Sequence, residues 1–337
     1  MIKKSVTMSD IAAQIGVSTV TVSKALSDKD GVSEQMRERI KQKAAEMGYR
    51  FSGSSKNSKG SLNYSVSVIV ANRFINDSAA LYWVIYRHLV EFLQKHSYYG
   101  ILEVVNESDE ELCGMPKSIT EKKSDGMIVL GQFSQSYVNA LVGMDFPVVF
   151  LDFYTARNDI DTVLSDNFFG AYTITNHLFS CGHRRIGFIG SVNATSSIQD
   201  RYLGYYKAHM ENRTRMNSAW VIEDRNQAGV MFREFALPRE LPAAFVCNCD
   251  EAAYILINQL KAHGMRVPED ISVVGYDNHI YSTISNPGIT TIDVNSSRMS
   301  YEAVEIMLKK IRDPDYRSGR VLVTGELIER NSVKKLR

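Results

Sequence analysis

From about residue 64 onward, short apolar runs alternate with helical patterns, and this alternation constrains the fold more than any other feature of the chain. The apolar runs are 66–71 (VSVIVA), 99–105 (YGILEVV), 126–130 (GMIVL), 147–151 (PVVFL), 186–190 (IGFIG), 243–247 (AAFVC) and 271–275 (ISVVG). They are rich in β-branched residues, the composition of strands buried on both faces. Helical periodicity fills the gaps between them, at 79–96, 168–181, 198–211, 251–263 and 297–312. Strand, helix and strand in repetition predict a parallel sheet covered by helices on both faces. So many strands fit two sheets better than one, and 337 residues suffice for two or three cores.

The first fifty residues follow a different grammar, that of three short helices. Thr7 and Asp10 bracket a T-x-x-D start, in which side-chain oxygens can cap free N–H groups. Ile11, Ala12 and Ile15 form an apolar stripe, and Gly16 suits the left-handed stop. Ser18 can cap a second helix with Val22 and Leu26 inward. Ser33 can cap a third, carrying Met36, Ile40, Ala44 and Met47 on one face and ending at Gly48. A tight Ile15-Gly16-Val17-Ser18 connection makes the first pair a helix-turn-helix. Its second helix would place Thr19, Val20 and Lys24 against base edges, with hydroxyls of Thr7, Ser18, Thr21 and Ser23 and the Lys3 ammonium near phosphates. An ordinary capped hairpin reads the same way from pattern alone. Residues 52–63 (SGSSKNSKGSLN) are linker chemistry and mark a boundary.

Charge is informative in its distribution. The whole chain is formally +1, but residues 1–60 hold eleven Lys/Arg and six Asp/Glu, which is +5 and leaves −4 for the remainder. A basic head on an acidic body suggests an anionic partner at one end, although a solvated helical face would look alike. No stretch is apolar for long enough to span a bilayer. The start, MIKKSVTMSDI, lacks the apolar region of an export signal, so a cytoplasmic location is expected. Cys113, Cys181, Cys247 and Cys249 fit no common zinc spacing, so no metal and no cofactor is expected.

The run from Thr7 to Arg50 strongly resembles the DNA-binding headpiece of LacI/GalR-family bacterial transcription regulators. It carries Asp10-Ile11-Ala12, Gly16-Val17-Ser18-Thr19-Val20-Thr21-Val22-Ser23-Lys24 and a closing Gly48-Tyr49. The resemblance continues in Gly182-His183-Arg184-Arg185-Ile186-Gly187-Phe188-Ile189-Gly190, in Arg201-Tyr202-Leu203-Gly204-Tyr205, in 267–277 (VPEDISVVGYD) and in Ile289-Thr290-Thr291-Ile292. It covers essentially the whole chain. It implies an all-α helix-turn-helix headpiece over 1–50, a hinge over 51–65, and an α/β effector and dimerisation domain over 66–337. That domain would have the type I periplasmic-binding-protein fold, with two doubly wound parallel-sheet subdomains. Their spans would be about 66–165 plus 293–322 and about 166–292 plus 323–337.

The resemblance also implies partners: palindromic operator DNA, a second copy of the chain, and a small effector of carbohydrate type. Arg201 matches the family's effector-binding arginine, and Asp277 and Asp152 match acids at strand ends; the alternative for the two acids is that they cap helices or pair internally. Ser197 and Tyr82 fall at cleft positions, whereas Trp83 reads better as core. Such a set suits a sugar, because vicinal hydroxyls want charged bidentate partners and an aromatic platform. Two departures stand out. Cys249-Asp250 replaces the frequent Asn-Asp pair, so a thiol stands where an amide often meets the ligand. Ser58 replaces the hinge leucine that wedges into a minor groove, which predicts weaker DNA bending. A solute receptor of the same fold is the alternative function. An enzyme finds no support: there is no G-x-S-x-G, P-loop or metal-spaced histidine set, and His183 sits in a strand motif that fits packing.

Overall fold

The computed structural model describes residues 6–26, 30–47, 49, 62–75 and 80–336. The expectations for Lys3, for the Gly48 stop and for Ser58 with its hinge lie outside those residues. The chain divides into two compact units, Met1–Leu62 and Asn63–Arg337.

The small unit is the expected three-helix head. Helix α1 (Met8–Ile15) starts in a reciprocal capping box: Thr7 Oγ1 accepts from the Asp10 N–H, and the Thr7 N–H donates to Asp10 Oδ2 at 2.8 Å. It stops at Gly16, whose φ of +78° is open to glycine without strain. Helix α2 (Thr19–Leu26) is capped by Ser18, whose Oγ accepts the Thr21 N–H at 3.1 Å. Helix α3 (Glu34–Glu46) differs from expectation at its start. Ser33 is the N-cap residue, but its hydroxyl makes no capping bond; its carbonyl accepts the Arg37 N–H at 2.9 Å. Ile11, Ala12, Val22, Ala25, Ile40 and Ala44 close the core between the helices.

The large unit is α/β. Its first lobe is built from β1 (Ser65–Ala71), α4 (Ala80–Lys95), β2 (Tyr99–Val105), α5 (Glu107–Glu111), α6 (Lys117–Thr120), β3 (Gly126–Leu130), α7 (Gln135–Val142), β4 (Val148–Leu151) and β5 (Asp161–Ser165). The chain then enters the second lobe with α8 (Asn167–Ser180), β6 (Ile186–Ile189), α9 (Ser196–Glu211), β7 (Val221–Ile222), β8 (Ala244–Cys247), α10 (Asp250–Ala262), β9 (Ser272–Val274), α11 (Ile280–Ile284) and β10 (Thr291–Asp293). It returns to the first lobe with α12 (Ser296–Arg312) and β11 (Arg320–Val323), and crosses back at β12 (Glu326–Ile328). One parallel sheet runs β11-β5-β4-β3-β1-β2, the other β7-β6-β8-β9, and β10 pairs antiparallel with β12. Three crossings between lobes, near residues 166, 294 and 324, therefore form one hinge side.

The strands form because their apolar runs are buried on both faces: β1, β3, β4, β6 and β8 are buried along their whole length. A buried ion pair fixes the return strand. Lys310 Nζ reaches Asp161 Oδ2 at 2.6 Å, and Asp161 Oδ1 accepts the N–H groups of Ser318 and Gly319 at 2.6 and 2.7 Å. The connection 223–243 between β7 and β8 contains no helix. Phe235 covers the sheet there, held by a two-way amide exchange between its backbone and Gln259 at 2.9 and 2.8 Å. Trp83 departs from expectation: it is half-exposed and meets Tyr86 edge-on, because it lies on the outer side of α4. His183 is buried as expected and bonds the Lys334 carbonyl at 2.9 Å.

Helices α8 and α9 cross closely at Gly204. A Cβ there would lie 2.1 Å from the Phe168 carbonyl oxygen and 2.8 Å from the Tyr172 nitrogen, both backbone atoms that cannot give way. Gly204→Ala should therefore cost about 1–3 kcal/mol by overpacking, read as a lower denaturant midpoint. An unchanged midpoint would mean that the two helices separate freely.

Candidate DNA-reading helix and ligand cleft

In the head, the outer face of α2 presents Thr19, Val20 and Lys24 to solvent, while Val22 and Ala25 are buried. Val20 is 62 % exposed, the one large apolar side chain on the outer face of α2. Ser18 and Thr21 are linked hydroxyl to hydroxyl at 2.8 Å beside the helix start, and Thr7 is committed to its capping box. Thr21 and Ser23 are half-buried. The face is therefore short, polar at its N-terminal end and tipped by one apolar group, which is the chemistry that phosphates and a thymine methyl accept.

In the large unit, the seven expected effector residues Tyr82, Asp152, Ser197, Arg201, Cys249, Asp250 and Asp277 all border one cavity of 680 Å³ between the lobes. The sheets place them there. Asp152 follows β4, Cys249 and Asp250 follow β8 and open α10, Asp277 follows β9, and Ser197 and Arg201 lie on the first turns of α9. These are carboxyl ends of parallel strands, where side chains from separate loops converge.

Arg201 organises the second lobe's wall. It is buried, and each of its three guanidinium nitrogens faces a protein partner. Nε donates to Asn167 Oδ1 at 2.8 Å, Nη1 to the Asn248 carbonyl at 2.5 Å, and Nη2 lies 3.1 Å from Asp277 Oδ1. Its plane stacks on the Tyr276 ring, 3.9 Å from the centroid. The contact with Asp277 is an ion pair without hydrogen-bond alignment, so that carboxylate oxygen keeps its acceptor capacity. Burial pushes the Asp277 carboxyl up and the Arg201 charge opposes it. Asp277 also holds a left-handed backbone, φ +101°, which a non-glycine residue adopts only when its surroundings force it.

Across the cavity, the first lobe offers Asp152 with Tyr82, whose hydroxyl donates to Asp152 Oδ2 at 2.9 Å. Burial raises the Asp152 carboxyl to about 6, and Arg201 and the Tyr82 bond pull it back. The sign of the consequence follows from linkage. The unfolded chain loses this proton near the ordinary carboxylate value, about 3.9, so the native state holds more protons between that pH and 6. Stability thus falls as pH rises through this window, and the penalty is full above 6. Asp152→Asn should raise stability by on the order of 2 kcal/mol at pH 7.5 and by little at pH 4. Matched denaturation curves at the two pH values check this; an equal effect at both would remove the titration from the explanation.

The remaining groups shape the wall. Asp250 is buried, accepts the His279 N–H at 2.7 Å, and lies so close to Gly275 that a Cβ there would fall 2.1 Å from its Oδ1. Burial drives its carboxyl well above the usual range. Cys249 caps α10 through Sγ, which accepts the Ala252 N–H at 3.5 Å, and burial raises its thiol. Ser197 Oγ pairs with the Thr195 hydroxyl at 2.9 Å.

Sequence reasoning missed several residues of the cavity: Arg73 and Phe74 after β1, Arg225 after β7, and Phe232, Asn248 and Tyr281. Arg225 is held bidentately by the fully buried Asp224, with Nη2 2.7 Å from Oδ2, and Asn248 Nδ2 donates to the same carboxylate at 2.6 Å. The position just after an expected strand was the available signal for Arg73 and Phe74. The two-residue β7 gave none for Arg225. Among the described residues no group of three or more His, Cys, Asp or Glu could hold a metal ion. No helix among them is long and apolar enough to cross a membrane.

Comparison with known proteins places this geometry. The family described as bacterial regulatory proteins, lacI family, matches residues 7–52, and a periplasmic binding protein-like domain matches residues 175–333. The HTH-type transcriptional repressor PurR of Haemophilus influenzae (strain PittEE) is 31 % identical, over 98 % of this chain and 99 % of its own. Two solved structures share the fold. The transcriptional regulator CelR–cellobiose complex superposes with a TM-score of 0.72 at 23 % identity, over 97 % of this chain and 99 % of that one. The lac repressor dimer bound to operator and the anti-inducer ONPF gives 0.72 at 20 % identity, over 98 % and 100 %. The chain belongs to the lacI family of bacterial regulatory proteins: it is a DNA-binding transcription regulator whose body has the periplasmic-binding-protein-like fold.

Proposed function

We propose that this chain is a cytoplasmic repressor that binds a palindromic operator as a homodimer and changes operator affinity when a carbohydrate or sugar derivative enters the interlobe cleft. One observation carries the ligand half: a buried Arg201–Asp277 pair on one wall faces an Asp152–Tyr82 pair on the other, across a single cavity. The two carboxylates, Asp277 and Asp152, are costly to bury and keep acceptor capacity beyond the bonds they make. Donor hydroxyls of a polyol meet that need, and a ligand touching both walls favours a closed cleft over an open one. Thr19, Val20 and Lys24 are the base-reading candidates on α2, with Ser18, Thr21, Ser23, Thr7 and Lys3 as phosphate contacts. Dimerisation is supported by the exposed Ile280 and Ile284, one turn apart on α11 of the large unit. One reading helix per chain needs a second copy to cover two half-sites. The relatives that carry repressor names and the lac repressor dimer on its operator support the same reading.

The test is a thermal-shift screen of the full chain against sugars, sugar phosphates and nucleobases. A saturating true ligand raises apparent stability by mass action, by about 2.7 kcal/mol at a hundredfold excess over its Kd. A shift with a sugar that Asp277→Asn abolishes supports the reading. A shift with nucleobases alone replaces the carbohydrate by a planar heterocycle.

A further inference from the structure

The sheet of the second lobe separates two helical layers. Phe188, Val246 and Val274 share a core with Tyr205 and Ala208 of α9, whereas Ile189, Phe245 and Val273 share one with Leu256 and Ile257 of α10. Neighbouring residues of a strand point to opposite faces, so α9 and α10 lie on opposite sides of this sheet. Helix α11, with its exposed Ile280 and Ile284, belongs to the α10 side, where the Tyr281 ring meets Tyr254 at 5.2 Å. A copy of the chain docked on α11 therefore leaves α9 uncovered.

The outer side of α9 differs from an ordinary solvated helix face. Gln199, Leu203, Tyr206 and Met210 are exposed, Leu203 by 45 %, Tyr206 by 44 % and Met210 by 62 %. Their spacing of four, three and four residues is the one by which a helix packs along another helix. The start of α8 extends the patch. Phe168 and Phe169 are exposed there, and Phe169 meets Tyr172, whose ring lies 5.6 Å from the Lys207 ammonium and whose hydroxyl donates to Glu211 at 2.6 Å. Large side chains carry about 150–250 Å² each, so the five exposed apolar groups present on the order of 400 Å². A contiguous patch of that size marks an interaction surface. Two copies would bury about 800 Å² of it, and the polar flanks supply the rest of the roughly 1,200 Å² that a specific interface needs.

The stripe is complementary to itself. When α9 of one copy lies antiparallel on α9 of another, about a two-fold axis between Leu203 and Tyr206, each Leu203 meets a Tyr206 and each Met210 meets a Gln199. The charges on one flank agree with this arrangement. Asp200 and Lys207 stand two turns apart on that flank, and the two-fold axis sets the acid of each copy near the base of the other. We propose that this face of α9 is a self-association surface, separate from α11, on which a second copy of the chain docks antiparallel, so that dimers join into tetramers. A tetramer carries four heads, enough to hold two palindromic sites at once. The tetramer rests on the homodimer reading above; the α9 contact does not.

The experiment is sedimentation velocity of the full chain at micromolar concentration, beside the variants Leu203→Glu, Ile280→Glu, Met210→Lys and Met210→Lys with Gln199→Glu. All four positions are exposed, so the circular dichroism of each variant should match the parent chain. The expected result is a tetramer for the parent and a dimer for each of Leu203→Glu and Ile280→Glu. Met210→Lys alone should weaken the tetramer at least tenfold, and adding Gln199→Glu should restore it, because the antiparallel arrangement sets positions 199 and 210 face to face. A parent chain that assembles no further than Leu203→Glu does overturns the α9 contact. No restoration by the paired change overturns its antiparallel arrangement. A parent dimer that Leu203→Glu splits and Ile280→Glu leaves intact supports the α9 contact and overturns the dimer through α11 instead.

Discussion

Replacing Arg201 by alanine is expected to cost about 3–5 kcal/mol of stability and to abolish ligand binding. The size follows from what the side chain leaves behind. Asp277 would lose the only cation within ion-pair distance among the described residues while remaining buried, and breaking a buried pair from one side costs about 3–5 kcal/mol. Asn167 Oδ1 and the Asn248 carbonyl would lose their donors, and the Tyr276 ring its stacking partner. The apparent Tm should fall by on the order of 10 °C. The double change Arg201→Ala with Asp277→Ala separates the causes. It removes the orphaned charge, so it should recover part of the stability, while ligand binding stays lost. Recovery of binding in the double variant would mean that the pair is scaffold and not grip.

Val20→Glu is expected to lower operator affinity by at least a hundredfold and to leave folding unchanged. Val20 projects from α2 into solvent, so the substitution alters no packing in the head. On DNA it would replace an apolar contact in the major groove by a carboxylate held against phosphates. Loss of one good base contact is worth about 1–3 kcal/mol, and like-charge repulsion adds to it. Circular dichroism of the variant should match the parent chain while its operator binding is lost. Unchanged affinity would show that α2 does not enter the groove in this orientation.

Much of this is legible in the sequence, which repeats its information at several levels. Thr7, Asp10 and Gly16 specify α1 locally, and the structure forms that capping box and that left-handed stop. Long apolar runs such as 126–130 and 186–190 became strands within a residue of the expected limits. What escaped notice was short or depended on tertiary pairing. β5, Asp161–Ser165, alternates too little to stand out, and its first residue is buried against partners far along the chain, Lys310 and the N–H groups of Ser318 and Gly319. β7 has two residues and is defined by its neighbour β6. The helix-free connection after it could not be foreseen, since its apolar residues Phe232, Phe235 and Leu237 have no clear period and find partners only on the folded sheet. The same reason hid Arg225. Motif matching reached Arg201 and Asp277 because they sit in long recognisable runs, whereas Arg225 enters the cleft through a hairpin that no local pattern announces.

Coupling between a DNA-reading helix and a ligand cleft on one chain is reciprocal: what the ligand does to operator affinity, the operator must do to ligand affinity. The most direct test is a fluorescence-anisotropy titration at fixed salt. The operator comes from in vitro selection with the full chain, and the ligand is the one that shifts its Tm. The expected result is a palindromic site whose apparent Kd changes at least tenfold on saturation with ligand, and no such change for Arg201→Ala. A cleft saturated with ligand while operator affinity stays constant would contradict it.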